Sequence, residues 1–466
     1  MNSDSSADVD VDIVVVGAGG CGLTAAIAAA ETGASVAVLE KLDRAVGNTF
    51  VSTGSIPAAG TRYQQAAGIE DSPERMVADL LRKSGPHDAE ETVELLAAGS
   101  ASLVEWLVEE HGVDLRLITD YKHVGHSVER LHAPEDRRGA SLMRDLLAAV
   151  KRLGVEVAYG NPVAGLLFAD GRVGGVTVDG PRSGAYTLRS NAVVLAANGF
   201  GNNKMMLEKW IPEIVSAQYF GAEGSTGEAI TWCEQQGSQL GNMGAYQGYA
   251  AVAYPHGSIV SWTTVEKGGI LLSPDGQRMG DESIGYSGFA SVVAAHAGQS
   301  YVVFDNRIRD YVATNEPEFA DLVASGGVVE AGSPAEIAAR IGASPQHVQA
   351  AMAEYDRVCK GESADPFGRQ DFGTAPLQPP YCVVRSVPAL FHTQGGARVD
   401  ERARVVTESG AVITGLYAGG GVTAGLSGAT GARGYSSGNG LLSAVGLGRI
   451  AGREAAAAAQ PPLREA

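Results

Sequence analysis

Residues 11–41 read VDIVVVGAGGCGLTAAIAAAETGASVAVLEK, and this stretch decides the fold. Val11–Val16 is a short β-branched apolar run, the pattern of a parallel strand buried on both faces. It turns through Gly17, Ala18, Gly19, Gly20, Cys21 and Gly22 into Leu23–Ala30, a run of strong helix formers. Gly33 closes that helix, and Ala34–Leu39 forms a second strand with Glu40 at its end. The result is a βαβ unit with Gly17, Gly19 and Gly22 at the G-x-G-x-x-G positions. Glycines there allow a tight turn, close approach of a pyrophosphate to backbone N–H groups, and close packing of helix on strand. The helix N-terminus favours the anion. Glu40, followed by Lys41, stands at the spacing of an acid that accepts hydrogen bonds from ribose hydroxyls. A dinucleotide site is the expectation.

Working outward, Gly47-Asn48-Thr49 and Ser52-Thr53-Gly54-Ser55 form a second Gly/Ser/Thr loop directly after this unit. Near the other end, Gly415–Ala418 reads as a strand running into Gly419–Gly421. Two glycine-rich closures at opposite ends of the chain suit a long cofactor better than a mobile nicotinamide, so FAD is expected. Between them, Gly154–Leu167 reads as a strand pair, and Arg172–Val178 and Ala185–Arg189 as a hairpin. The apolar strand Ala192–Ala197 follows, ending at Asn198-Gly199. Residues 231–375 change texture, with shorter strands and helices such as Pro334–Ile341 and Pro345–Tyr355. A helix over Gly440–Ala459 ends the pattern. The fold class is α/β: a discontinuous Rossmann-like FAD-binding domain (1–230 and 376–466) with an inserted α+β capping or substrate domain (231–375).

Composition narrows the function. A chain of 466 residues with 45% apolar and 19% charged residues is globular, and its length favours two domains. The formal charge of −18 argues against a nucleic-acid surface or an anionic membrane face. Cys21, Cys233, Cys359 and Cys382 have no CxxC spacing, so neither a zinc module nor a disulfide scaffold is expected, and no metal site. Met1–Asp12 is acidic and polar, unlike a signal peptide, and no apolar run reaches the ~18 residues of a membrane span. A cytoplasmic location is expected.

Six ordered blocks carry a family resemblance: 17–41, GNTFVSTGS at 47–55, RLHAPEDRRGASLM at 130–143, VVLAANGF at 193–200, HTQGGARVD at 392–400 and GYSSGNGLLSAVGLGRIAG at 434–452. With them the chain resembles the fumarate reductase/succinate dehydrogenase flavoprotein superfamily over nearly its whole length. The resemblance implies an FAD enzyme that moves hydride between flavin N5 and a carbon–carbon bond beside an electron-withdrawing group. It also implies a cap over the flavin and an external electron carrier. The implied cofactor contacts are Gly17, Ala18, Gly19, Gly20, Cys21, Gly22, Glu40, Lys41, Asn48, Thr49, Thr53, Gly54, Val163, Ala197, Asn198, Gly199, Gly420, Gly421, Asn439 and Leu441. Asn48 stands near the place where relatives with covalent FAD carry a histidine, so non-covalent FAD is expected. Gly421 replaces the usual acid of an Ala-Gly-Glu turn, which removes one ribitol contact.

The departures set the substrate. Counting from the turn Gly276–Glu282, the family's proton-donating arginine is Tyr286 here. The arginine before the family's Gly-Gly-Asn turn is Tyr435, and the first histidine of its H-x-T-x-G-G block is Phe391, followed by His392. A dicarboxylate calls for guanidinium forks. Without them its charge in a dry pocket costs several kcal/mol, so a dicarboxylate substrate is not expected. Tyrosines at these places, together with Asp120-Tyr121, are similar to the 3-ketosteroid dehydrogenase branch of the same superfamily. By that resemblance Tyr435, with the backbone of Asn439, polarises a carbonyl, and Tyr286, helped by Tyr121, is the base. Ser437 is a second donor, and Phe391, His392 and Asn439 border the substrate, a neutral cyclic ketone or enone. A phenol base needs a pKa lowered by a partner phenol or by the flavin field. Two other readings stay open: an ene-reductase of an unsaturated monocarboxylate held by Arg385 or Arg398, and a catalytically silent flavin-binding protein.

Overall fold

The computed structural model describes residues 10–120, 122–169, 171–180 and 184–459. The elements that carry the site are, in chain order, β1 (Val11–Val16), α1 (Gly20–Ala30), β2 (Val36–Glu40), β3 (Gly184–Leu195), β4 (Gly244–Ala253), α2 (Gly285–Ala295), β5 (Tyr381–Thr393), β6 (Val412–Ala418) and α3 (Asn439–Ala459).

β1 lies between β2 and β3, parallel to both, with Val14 opposite Ala37 on one side and Val193 on the other. The sheet continues outward from β3 through 172–180 and β6, and outward from β2 to 157–159. Ile13, Val14 and Val15 are completely buried, as expected of a central parallel strand covered on both faces. One covering layer is α1 packed on α3, and its closeness explains their small residues. A Cβ on Gly448 would lie 2.4 Å from the Cys21 carbonyl oxygen, and one on Gly452 would lie 2.1 Å from that of Ala25. This contact fixes the N-terminal half of α1 against the middle of α3.

Three boundaries differ from the sequence reading. The two strands expected at Ala185–Arg189 and Ala192–Ala197 are one strand, β3, ending at Leu195. Its first half pairs antiparallel with 172–180 and its second half parallel with β1. The polar pair Ser190-Asn191 marks the handover, where Ser190 Oγ donates to the Ala192 carbonyl. α1 starts at Gly20 rather than Leu23, because Gly19 is its extended N-cap. The helix opening at Pro345 continues past Tyr355 to Cys359.

A second sheet runs 270–272, 300–305, β5, β4, 430–431. Its central strand, β5, comes from the segment after residue 375, where the composition returns to α/β texture. The far end of β5 reaches the first sheet: Thr393 Oγ1 accepts a hydrogen bond from the Phe200 N–H at 3.0 Å. β5 therefore ties the second sheet to the loop leaving β3. Among the described residues no helix is long and apolar enough to cross a membrane.

The fold holds several histidines neutral, His126 and His132 buried and His123 and His392 half-buried. Burial pushes the pKa values of His126, His132 and His392 down to about 4 and that of His123 to about 3. Unfolding frees these side chains to take up protons as pH falls below their ordinary value near 6.5, so their contribution to stability is full above it and lost on acidification. Glu266 opposes this. Burial, with Glu316 nearby, raises its pKa to about 7, so it favours the folded state as pH falls. Four histidines against one carboxyl leave the histidines in control. The urea midpoint is expected to fall between pH 6.5 and 5, with each net proton worth up to about 1.4 kcal/mol per pH unit. His132→Asn is expected to flatten that slope; a midpoint flat over this range would refute the assignment.

Candidate active site

The C-terminal ends of β1 and β3, the start of α1 and the loop after β2 enclose a cleft of about 840 Å³. Its lining includes Gly17, Gly19, Gly20, Cys21, Glu40, Lys41, Asn48, Thr49, Val163, Ala197, Asn198, Gly420 and Gly421. A second hollow of about 500 Å³ shares Asn48, Thr49, Asn198, Gly420 and Gly421 and adds His392, Gly440, Leu441 and Ser443. The shared residues join them into one trough that runs from the glycine turn at Gly17–Gly20 to His392.

The trough fits FAD. A Cβ on Gly22 would sit 1.8 Å from the Gly17 carbonyl oxygen, so the tight turn into α1 requires glycine there, whereas Gly19 faces open space. The Glu40 carboxylate accepts hydrogen bonds from the N–H groups of Ala18 and Leu42, both at 2.9 Å, which fixes it at the edge of the cleft. At the other end, Asn48 Nδ2 and Ser443 Oγ are buried without a hydrogen-bond partner. Buried polar atoms in native proteins nearly always have one, so these two atoms on the trough wall point to a polar ligand. The missing acid at Gly421 has a steric reason: a Cβ there would lie 2.4 Å from Asn198 Oδ1.

Other expected contacts lie behind the wall. Gly199 packs on Thr393 Oγ1, Thr53 Oγ1 bonds Ser55 Oγ, and Gly54 abuts Pro134. The sequence reading missed the loop 222–228, of which Ala222, Gly224, Ser225 and Glu228 line the cleft. Asn48 Oδ1 accepts from the Ala222 N–H at 2.7 Å, and Lys41 Nζ donates to Thr226 and Glu228. Only the glycines at 221, 224 and 227 hinted at a loop closing on something.

Beside His392, which lines the trough, lies a cluster of rings. Tyr286 lies in the first turn of α2, and its hydroxyl is 3.1 Å from Ser437 Oγ. Tyr435, in the turn before α3, has its ring 6.2 Å from that of Tyr286 and 5.8 Å from that of His392. Burial, reinforced by Tyr286, drives the Tyr435 pKa well above 10, against the smaller opposite effect of the Gly438 and Gly440 N–H groups. Tyr435 is thus a neutral phenol throughout the ordinary pH range.

Phe391 stacks on Tyr249 at 5.2 Å and on Phe220 at 5.6 Å, and Tyr249 stacks on Tyr286 at 5.0 Å. The structure therefore brings Tyr286, Tyr435, Ser437, Phe391 and His392 together. Tyr249 and Phe220 were not anticipated. The Tyr249 hydroxyl is occupied, donating to the Val260 carbonyl and accepting from the Trp262 N–H.

Two expectations change. The Asn439 N–H, expected to polarise a carbonyl, donates instead to Ser436 O at 3.2 Å, so the N–H groups beside the Tyr435 hydroxyl are those of Gly438 and Gly440. Arg385 and Arg398 are engaged elsewhere: Arg385 is exposed on Gln299 and the Tyr254 ring, and Arg398 contacts Gln239. Tyr121 lies outside the described residues.

Comparison with known proteins agrees with this geometry. Residues 12–440 match the family model for the FAD binding domain. Over 439 residues the chain is 28% identical to an NADH:fumarate oxidoreductase of Klebsiella pneumoniae, covering 93% of this chain and 46% of that one. The chain thus spans just under half the length of that relative. Among solved structures, the open conformation of a flavocytochrome c3 fumarate reductase superposes with a TM-score of 0.80 at 26% identity, covering 97% of this chain and 79% of that one. The 3-ketosteroid-Δ4-(5α)-dehydrogenase of Rhodococcus jostii, in complex with 4-androstene-3,17-dione, gives 0.77 at 25% identity, covering 98% and 99%.

Proposed function

This chain belongs to the FAD binding domain family of flavoproteins, and on that footing we propose that it is an FAD-dependent oxidoreductase of CH–CH bonds beside a neutral carbonyl. Its substrate is a cyclic ketone or enone of the 3-ketosteroid kind, and an external carrier exchanges electrons with the cofactor. Residues 1–230 and 376–466 hold the cofactor, and 231–375 cap it around the strand β5 that the following segment lends. The observation that carries the reading is the Tyr286 hydroxyl 3.1 Å from Ser437 Oγ, with the Tyr435 ring between Tyr286 and His392, the histidine that lines the trough.

FAD, when bound, supplies the hydride acceptor or donor. The chain supplies the proton chemistry and the orientation. Tyr435, held neutral, donates a hydrogen bond to the substrate carbonyl, which acidifies the adjacent C–H or activates the enone. Tyr286 takes or gives the proton at the α-carbon, and Ser437 Oγ is its hydrogen-bond partner. The stacked rings of Phe391 and Tyr249 beside them offer an apolar wall rather than a charge clamp. Asn48 cannot form the covalent link that a histidine makes, so FAD is held without a covalent bond.

The test is an anaerobic absorbance experiment on the purified protein. Acid precipitation is expected to release the whole flavin, and a saturated 3-ketosteroid is expected to bleach the oxidised flavin band. A second reading, reduction of an unsaturated monocarboxylate, draws on the fumarate activity of the Klebsiella relative. It needs a cation at the substrate, while Arg385 and Arg398 are engaged with Gln299, Tyr254 and Gln239. Reduced enzyme reoxidised by an unsaturated acid but not by any enone would replace the first reading with the second. FAD that responds to neither would reduce the protein to a flavin carrier.

A further inference from the structure

Ser437 is held at three points. Its Oγ lies 3.1 Å from the Tyr286 hydroxyl, its N–H donates to the Val124 carbonyl at 3.0 Å, and its carbonyl is 2.8 Å from His126 Nε2. Both backbone bonds come from one short stretch, 124–126, distant in sequence. That stretch also contacts the neighbouring elements. Gly125 has φ +88°, and a Cβ there would strike Ser436 Oγ at 2.2 Å, while Val124 lies 3.0 Å from where a Cβ of Gly285 would stand, at the start of α2. The stretch is wedged between the helix that carries Tyr286 and the turn that carries Tyr435 and Ser437.

The hydrogen-bond chemistry fixes which way His126 acts. Arg130 Nη1 is 3.3 Å from His126 Nδ1, and a guanidinium only donates. Nδ1 is therefore the acceptor, and Nε2 carries the hydrogen that it donates to Ser437. Arg130 is itself immobile. It is completely buried, with Asp71 on Nε and Nη2 and Asp79 on Nη1. Asp79 also accepts from the N–H and hydroxyl of Ser127, the residue after His126, closing the network on the same stretch. Buried, satisfied ionic networks of this kind fix one arrangement of the groups attached to them.

We propose that His126 is a positioning residue: its Nε2–H, oriented by the Arg130–Asp79 pair, holds the Ser437 backbone so that Ser437 Oγ stays in register with the Tyr286 hydroxyl. The role rests on the proton chemistry assigned above to Tyr286 and Ser437. A purely structural role would make the Arg130 side of the ring matter as much as the Ser437 side. The proposal makes the Ser437 side decisive.

Two amide substitutions separate the sides, because asparagine places its polar atom near Nδ1 and glutamine near Nε2. H126Q keeps a donor for the Ser437 carbonyl and is expected to retain kcat within about threefold. H126N keeps an acceptor for Arg130 but loses the donor; kcat is expected to fall on the order of 10²-fold with KM and FAD content nearly unchanged, the scale set by misplacing a reacting group. In H126N, amide hydrogen exchange over 435–439 is expected to speed up while β1 and α1 stay protected. In a Ser437→Ala background the H126N loss is expected to shrink to less than about threefold, because the two act through one bond. Equal kcat in H126Q and H126N, or a full H126N loss persisting without the Ser437 hydroxyl, would overturn the proposal. If H126N does not fold, H126Q decides alone: a folded, FAD-loaded H126Q enzyme with kcat down tenfold or more refutes it. The exchange measurement needs no substrate, so it tests the clamp even if no 3-ketosteroid reduces the wild-type flavin, the outcome that would refute the functional reading instead.

Discussion

Tyr286→Phe is expected to lower the rate of anaerobic flavin reduction by a 3-ketosteroid by about 10³-fold, within the range for removing a positioned acid or base. The substitution removes a single oxygen. The ring keeps its stacking on Tyr249 at 5.0 Å and its contact with Tyr435, so the shape of the pocket and of the α2 start is retained. What disappears is the hydroxyl 3.1 Å from Ser437 Oγ. Ser437 loses a hydrogen-bond partner, worth about 1 kcal/mol of stability and too little to unfold the chain. FAD content, melting temperature and substrate affinity are therefore expected to stay near wild type while the chemical step slows. Stopped-flow single-turnover measurement separates these, since it reads reduction without product release. A Tyr286→Phe enzyme reduced within tenfold of the wild-type rate would remove Tyr286 from the proton transfer.

The parts of this molecule legible in the sequence are those governed by local rules. Val11–Glu40 announces its βαβ unit because burial on both faces gives an uninterrupted β-branched strand, and because the turn geometry admits only glycine at Gly22. Tyr435 could be singled out because the Gly438-Asn439 turn that follows anchors its place in the family pattern, and its ring lies beside those of Tyr286 and His392. The count from Glu282 to Tyr286 spans a turn of 3-10 helix and Gly285, yet the side chain arrives at Ser437. What stayed hidden depends on partners far along the chain. Tyr249 sits on a strand whose neighbours are nearly all buried, so its sequence signature is that of any core tyrosine. Phe220 and the loop 222–228 gain their meaning only when β5 and Asn48 arrive beside them. The histidine that reaches the Ser437 carbonyl is His126, while His132 of the RLH block bonds Thr61 and the Arg130 carbonyl. No spacing rule distinguishes a histidine that Arg130 aims at a carbonyl from one that completes a core. β5 shows the same limit on a larger scale: its position at the centre of the second sheet follows from pairing with 300–305 and β4, not from its own composition.

Tyr435→Phe is expected to cut kcat by on the order of 10²-fold or more, for a different reason from Tyr286→Phe, and its signature differs accordingly. The Tyr435 hydroxyl is buried, and burial with the nearby Tyr286 holds its pKa well above 10, so it can donate a hydrogen bond but not act as a base in the neutral range. The sign matters for the pH profile. A group whose pKa is raised this far stays protonated as pH climbs, so Tyr435 contributes no titration below pH 10 and its removal lowers the whole profile without moving its inflections. Removing Tyr286, the residue that exchanges the proton, is expected to change the shape as well as the height. The Gly438 and Gly440 N–H groups lose the oxygen they face, and they remain to give the carbonyl part of its stabilisation, which keeps the loss below total. The substrate series adds an independent check: a donor to the carbonyl helps most where the oxygen gains most charge. The wild-type advantage over Tyr435→Phe is therefore expected to be largest for ketones whose α-proton is least acidic. A loss that is uniform across such ketones, or a profile whose inflection shifts when Tyr435 is removed, would mean that this phenol does something other than hold the carbonyl.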